Sequence, residues 1–143
     1  SAHIPEAFVE EIHARLALYQ RIAQIESADG VAAMQAELKD RFGEVPPSVE
    51  NLLYVSLVKS VARRAKVESI KTDEQMFHIR IRGGTTEAMR DAVGALKSKA
   101  LMTGPNQVRI DRVQVAGNWQ MVLVRVLRAL MEANRTPASS AAG

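Results

Sequence analysis

Catalysis needs acids, bases or nucleophiles held at short range, and this 143-residue chain has few in a usable order. His3, His13 and His78 are scattered. His13 lies near Glu10 and Glu11, but a metal site needs three or four converging ligands, and a solvated helix face accounts for these residues. Glu10 and Glu11 are adjacent, so on a helix they point about 100° apart and do not form a catalytic pair. There is no cysteine, hence no thiolate nucleophile, no disulfide framework and no zinc–thiolate site. Gly83-Gly84 is not followed by the Gly-Lys-Ser/Thr of a phosphate loop, so it reads as a turn pair. No Ser/His/Asp order suggests a triad. No cofactor, metal or catalytic residue is expected, and the chain is not expected to be an enzyme on its own. What remains is recognition by charge, concentrated in Glu37-Leu38-Lys39-Asp40-Arg41-Phe42-Gly43.

The elements that must position this run follow from periodicity. Residues 9–26 read as a helix whose apolar stripe is Ile12, Leu16, Tyr19 and Ala23. Glu11 and Arg15 are spaced for an i,i+4 ion pair. Ser27 fits the N-cap of a second helix reaching Phe42, with Val31, Met34, Leu38 and Phe42 inward. Gly43 supplies a left-handed C-terminal residue at little steric cost. Pro46-Pro47 blocks continuation, and Pro47 suits the first turn of a third helix running to about residue 65. Its buried face is Val49, Leu52, Leu53, Ser56, Ser60 and Val61.

The period then changes from about 3.6 to 2. Residues 67–71 and 75–82 are expected to form a hairpin through Thr72-Asp73-Glu74. Phe77, Ile79 and Ile81 share one face; His78, Arg80 and Arg82 share the other, wetter one. Thr85 or Thr86 is positioned to cap a fourth helix to about residue 99, with Met89, Val93 and Leu96 inward. Thr103-Gly104-Pro105-Asn106 is a turn between a strand near 100–102 and one at 107–115, with a bulge or break near Asp111-Arg112 where the apolar parity switches. Asn118 is a candidate cap for a last helix, 119–134, with Trp119, Val122, Val126 and Leu130 buried. The fold class is therefore α+β: three N-terminal helices, then a small, mostly antiparallel sheet with two further helices on one face. Residues 1–135 are expected to form one domain and 136–143 a flexible tail.

The net charge of +3 conceals a polarity: residues 1–50 carry net −5 and residues 51–143 net +8. The basic half, which includes Arg63, Arg64, Lys66, Arg80, Arg82, Lys97, Lys99, Arg109 and Arg112, raises a nucleic-acid-contacting role as the alternative function. The wet face of the hairpin has no aromatic on which bases could stack, as RNA-binding sheets use, which counts against direct nucleic-acid binding as the chain's main task. No apolar run approaches the ~20 residues needed to span a bilayer, and no signal-peptide order is evident, so a cytoplasmic setting without membrane contact is expected.

On the second helix, Glu37, Asp40 and Arg41 fall together on one flank. Glu37 and Arg41 can pair at i,i+4 as ordinary helix-surface charge, or the flank can meet a partner of complementary charge. Three segments are distinctive together: Arg15-Leu16-Ala17-Leu18-Tyr19-Gln20-Arg21-Ile22-Ala23, Glu37-Leu38-Lys39-Asp40-Arg41-Phe42-Gly43-Glu44-Val45-Pro46, and the Leu52-Leu53 helix. In that order they resemble the C-terminal domain of bacterial transcription-repair coupling factors. The resemblance implies a large parent, an ATP-driven DNA translocase that displaces stalled RNA polymerase and recruits the excision-repair protein UvrA. It implies that this domain is a regulatory clamp that docks on the parent's N-terminal UvrB-like module, masks the UvrA-binding surface and restrains the motor. Contacts with UvrA and RNA polymerase would be indirect, and contact with DNA would run through other domains. The family's interdomain contact patch maps onto Glu37, Asp40 and Arg41. Glu37 and Asp40 would accept hydrogen bonds from partner arginines, and Arg41 would pair with an acid there or orient Glu37.

Overall fold

The computed structural model describes residues 1–135. It divides into two compact units, residues 1–60 and residues from Val61 onward. Residues 136–143, where the tail was expected, lie outside the described residues.

The first unit is built on three helices, α1 (Ile12–Ala23), α2 (Ala28–Phe42) and the greater part of α3 (Pro47–Arg64). Its core is Ile4, Val9, Leu18, Ile22, Ile25, Met34, Leu38, Val49 and Leu53, with Phe8, Tyr19, Val31, Phe42 and Leu52 packed around it. Ser27 caps α2 by accepting from the Gly30 N–H, as its position before the apolar run predicts. Gly43 ends that helix at φ +92°, ψ −159°, while its N–H donates to the Lys39 carbonyl. The positive φ is as expected, but ψ lies outside the left-handed helical region, in one that essentially only glycine enters.

Helix α1 corrects two expectations. Of the expected stripe Ile12, Leu16, Tyr19 and Ala23, only Tyr19 packs on the core, half-buried; Ala23 is exposed, and Ile12 and Leu16 are 55% and 53% exposed. The buried line is instead Leu18, Ile22 and Ile25, at i, i+4 and i+7. Both lines satisfy helical spacing, so periodicity along α1 cannot choose between them; the one that joins Met34 and Leu38 of α2 in a shared core does. The pair expected between Glu11 and Arg15 does not form. Glu11 caps α1 by accepting from the Ala14 N–H, and Arg15 donates to the Val9 and Glu10 carbonyls. A carboxylate beside free N–H groups at a helix start gains more there than from a solvated ion pair.

The second unit is centred on a four-stranded antiparallel sheet in the order β1 (Val67–Thr72), β2 (Met76–Ile81), β4 (Gln107–Asp111), β3 (Leu101–Thr103). Phe77, Ile79 and Ile81 of β2 and Val108 and Ile110 of β4 are buried, as their alternation predicts. Helix α4 (Glu87–Gly94) packs on β3 and on α6 (Trp119–Arg135). Thr86 caps α4 through the Met89 N–H. This helix stops at Gly94 rather than near 99, and Lys97 beyond it takes φ +56°. Gly84, at φ +88°, holds the turn after β2, where an added Cβ would sit 3.0 Å from the Pro105 carbonyl oxygen.

Strand β4 is shorter than expected. The parity switch at Asp111-Arg112 marks a break, because Asp111 accepts from the Val113 and Gln114 N–H groups and starts a one-turn helix, α5 (Arg112–Val115). A 3₁₀ turn, Ala116–Asn118, follows, so Asn118 lies in that turn before α6. The buried face of α6 is Leu123, Val126, Leu127, Leu130 and Met131. Val122 is half-buried, and Trp119 remains 36% exposed while stacking on Phe77 at 5.4 Å between ring centroids.

Candidate functional site

Glu37, Asp40 and Arg41 occupy one flank of α2, brought together by i+3 and i+4 spacing while Leu38 and Met34 anchor the opposite side in the core. Arg41 donates to Glu37 Oε2 at 3.1 Å, so the spacing-based pair is formed. The stronger partner is one that spacing along α2 cannot reveal. Arg21 of α1 donates through both terminal nitrogens to the two oxygens of Glu37, at 2.5 and 2.6 Å. A planar guanidinium on a planar carboxylate is the most directional ion pair that side chains make. Arg21 lies in the distinctive Arg15–Ala23 segment, but only the packing of α1 on α2 brings it across.

The consequence is a division of labour among the three residues. Glu37 is clasped by two cations and is only 32% exposed. The hydrogen bond from Arg21, then that from Arg41, holds its carboxyl at about 2, well below the usual 4.5. Asp40 is exposed and, among the described residues, makes no hydrogen bond or ion pair. It is the carboxylate with its acceptor capacity free. Arg41 is braced twice, by Glu37 and by the Phe42 ring, whose centroid lies 4.8 Å from its guanidinium carbon. Phe42 in turn packs against Phe8 at 5.6 Å between centroids. Arg41 is therefore fixed to the core through an aromatic pair rather than left to rotate freely. Among the described residues no group of three or more His, Cys, Asp or Glu is arranged to hold a metal.

A family model described as the TRCF domain matches residues 1–92. The chain belongs to the TRCF domain family. Its similarity to transcription-repair-coupling factors is 33% identity over 104 residues to the Myxococcus xanthus protein, covering 73% of this chain and 7% of that one. For the Bacillus subtilis (strain 168) protein it is 32% over 80 residues, 56% of this chain and 7% of that one. For the Escherichia coli (strain K12) protein it is 26% over 72 residues, 50% and 6%. The chain thus spans about 7% of the length of these relatives. A solved structure described as the crystal structure of the C-terminal domain of transcription-repair coupling factor shares the fold, with a TM-score of 0.73 at 24% identity, over 94% of this chain and 89% of that one. The family match ends within α4, whereas the fold likeness extends over most of β3–α6 as well. The TRCF domain is thus related by sequence to factors that couple transcription to DNA repair, and it bears its charged flank within the matched region.

Proposed function

We propose that this TRCF domain is a non-catalytic regulatory domain of an ATP-dependent DNA translocase that couples transcription to nucleotide-excision repair in the cytoplasm. It docks through the α2 flank on the UvrB-like module of the same parent, masks UvrA binding and restrains the motor until RNA polymerase is engaged. One observation supports this over a purely structural role: an exposed, unengaged carboxylate, Asp40, stands beside a pre-oriented Glu37–Arg41 pair. An ordinary solvated helix face does not need two arginines and a ring pair to hold one carboxylate still. Pre-orientation lowers the side-chain entropy lost on docking. A polar contact between domains of one chain is also one that a modest competing interaction can open.

The division of labour sharpens the roles. Asp40 meets a cationic side chain of the partner module, Arg41 meets an acidic one, and Glu37 holds Arg41 in place. Asp40→Lys in the full-length factor is the cleanest probe, because it leaves the Arg21–Glu37–Arg41 clasp intact. It should weaken docking to the purified UvrB-like module and raise capture of UvrA by the full-length protein. Capture of UvrA at the wild-type level, both by this variant and by the Glu37→Lys/Asp40→Lys double variant, would falsify the reading.

A further inference from the structure

The sheet of the second unit has a face that the proposed docking does not use. Strand register places Lys71 of β1 beside His78 of β2, and His78 beside Arg109 of β4. Neighbouring strands lie about 4.8 Å apart, so this row crosses three strands within about 10 Å. The next row sets Arg80 between Ser69 and Gln107, and Arg82 follows immediately beyond the strand. Arg80, Lys71 and Arg82 are exposed, and His78 and Arg109 are half-buried, whereas the inward residues Ile79, Val108 and Ile110 are fully buried.

Each acid on this face already has a hydrogen-bond partner. Glu68 takes Arg80 at 3.0 Å, Asp73 takes His78 at 2.8 Å, and Asp111 accepts from the N–H groups of α5. Among the described residues, the side chains of Lys71, Arg82 and Arg109 make no ion pair or hydrogen bond, so three cationic side chains on this surface have no protein partner. The aromatic side chains of this unit are turned elsewhere: Phe77 is buried on the inward face and stacks with Trp119. A cationic face without a stacking platform suits phosphates held in a duplex rather than splayed single-stranded bases. It also lacks the aromatic anchor around which protein interfaces concentrate their affinity.

We propose that this uncovered sheet face binds the phosphate backbone of double-stranded nucleic acid, without reading its sequence. The contact involves none of the α2 flank residues and does not depend on the docking role. Three phosphate contacts predict a log–log salt slope near −3, or about a 40-fold loss of affinity between about 50 and 200 mM salt. The test is fluorescence anisotropy of the 143-residue chain with a labelled random-sequence duplex of about 20 base pairs, across that salt range. The triple variant Lys71→Gln/Arg82→Gln/Arg109→Gln should bind at least about tenfold more weakly, with a slope near zero. A charge-matched control, Lys59→Gln/Arg125→Gln/Arg128→Gln, should stay within about twofold of wild type. Circular dichroism and Trp119 emission would confirm that both variants are folded. A flat salt dependence in the wild type, or equal losses in the two variants, overturns the proposal. So does polyglutamate competing as well as unlabelled duplex at equal charge, which would point to an acidic protein surface instead.

Discussion

Arg21 of α1 grips both oxygens of Glu37 on α2, and the same carboxylate reaches along its own helix to Arg41. One acid therefore ties two helices together and orients an exposed cation. Arg21→Ala should lower the urea midpoint of unfolding slightly and also weaken docking of the UvrB-like module, although Arg21 is not itself a proposed contact. The stability part should shrink as salt rises from roughly 0.1 to 1 M, because the Debye length falls from about 10 to about 3 Å. A docking affinity unchanged in Arg21→Ala would show that Glu37 does not need its clasp to position Arg41.

Acid should loosen the molecule in a defined window. The carboxyls of Glu37 and Asp73 are both held at about 2, the first by Arg21 and Arg41, the second by His78 and the Met76 and Gln75 N–H groups. A depressed folded value means that the stabilisation is complete above the ordinary values of 4.5 and 3.8 and disappears as pH falls toward 2. The pH dependence of the unfolding midpoint between those limits should be shallower in Glu37→Gln and in Asp73→Asn than in wild type.

The two apolar lines of α1 make opposite predictions. Leu18→Ala removes a side chain that is 2% exposed and should cost about 2–5 kcal/mol. Leu16→Ala, at a site 53% exposed, should stay within about 0.5 kcal/mol of wild type. Chemical denaturation followed by circular dichroism distinguishes them; a larger cost at Leu16 than at Leu18 would place α1 in the other rotational setting.

At Gly84, φ +88° and the nearby Pro105 carbonyl oxygen both oppose a side chain, whereas at Gly83, φ +80°, an added Cβ meets no atom within 4 Å. Gly83→Ala should cost about 1–2 kcal/mol from backbone conformation alone, and Gly84→Ala measurably more. Thermal melts of the two variants give the comparison.

The sole tryptophan stacks on Phe77 and reports on the α5–α6 junction. Phe77→Leu should shift Trp119 emission to the red by opening the indole to water. Asp111→Ala, which removes the cap of α5, should produce a smaller shift and cost about 0.5–2 kcal/mol. If Phe77→Leu leaves the emission unmoved, the stacking does not persist in solution.

Much of this architecture is legible in the sequence where local chemistry has only one solution. Ser27, Gly43 and Pro47 mark helix ends because backbone groups there accept few alternatives. The alternation of Phe77, Ile79 and Ile81 against His78 and Arg80 fixes both faces of β2. The sequence misleads where two solutions are locally equal. On α1 both apolar lines have helical spacing, and only the core assembled with α2 selects Leu18 and Ile22. At Asp111 the parity switch locates an interruption, but a bulge and a capped helical turn share that signal. In the candidate site, Glu37, Asp40 and Arg41 are evident as a flank, and the Glu37–Arg41 pair follows from i,i+4 spacing. Arg21 stands 16 residues from Glu37 and is brought to it only by tertiary packing.

The strand order has a consequence for how the sheet behaves among other copies of itself. Its two outermost strands are β1 and β3, whose unpaired backbone groups are the natural templates for adding a foreign strand. β3 is only three residues long, too short to seed an extended ladder. β1 is longer, but its pairing is irregular between Val67 and Ser69, and it bears Glu68 and Lys71. A bulge and charged residues are what natural sheets use to discourage sheet-to-sheet growth. Both open margins are thus blunted by different means, so that this small sheet resists polymerising whenever its surroundings come loose.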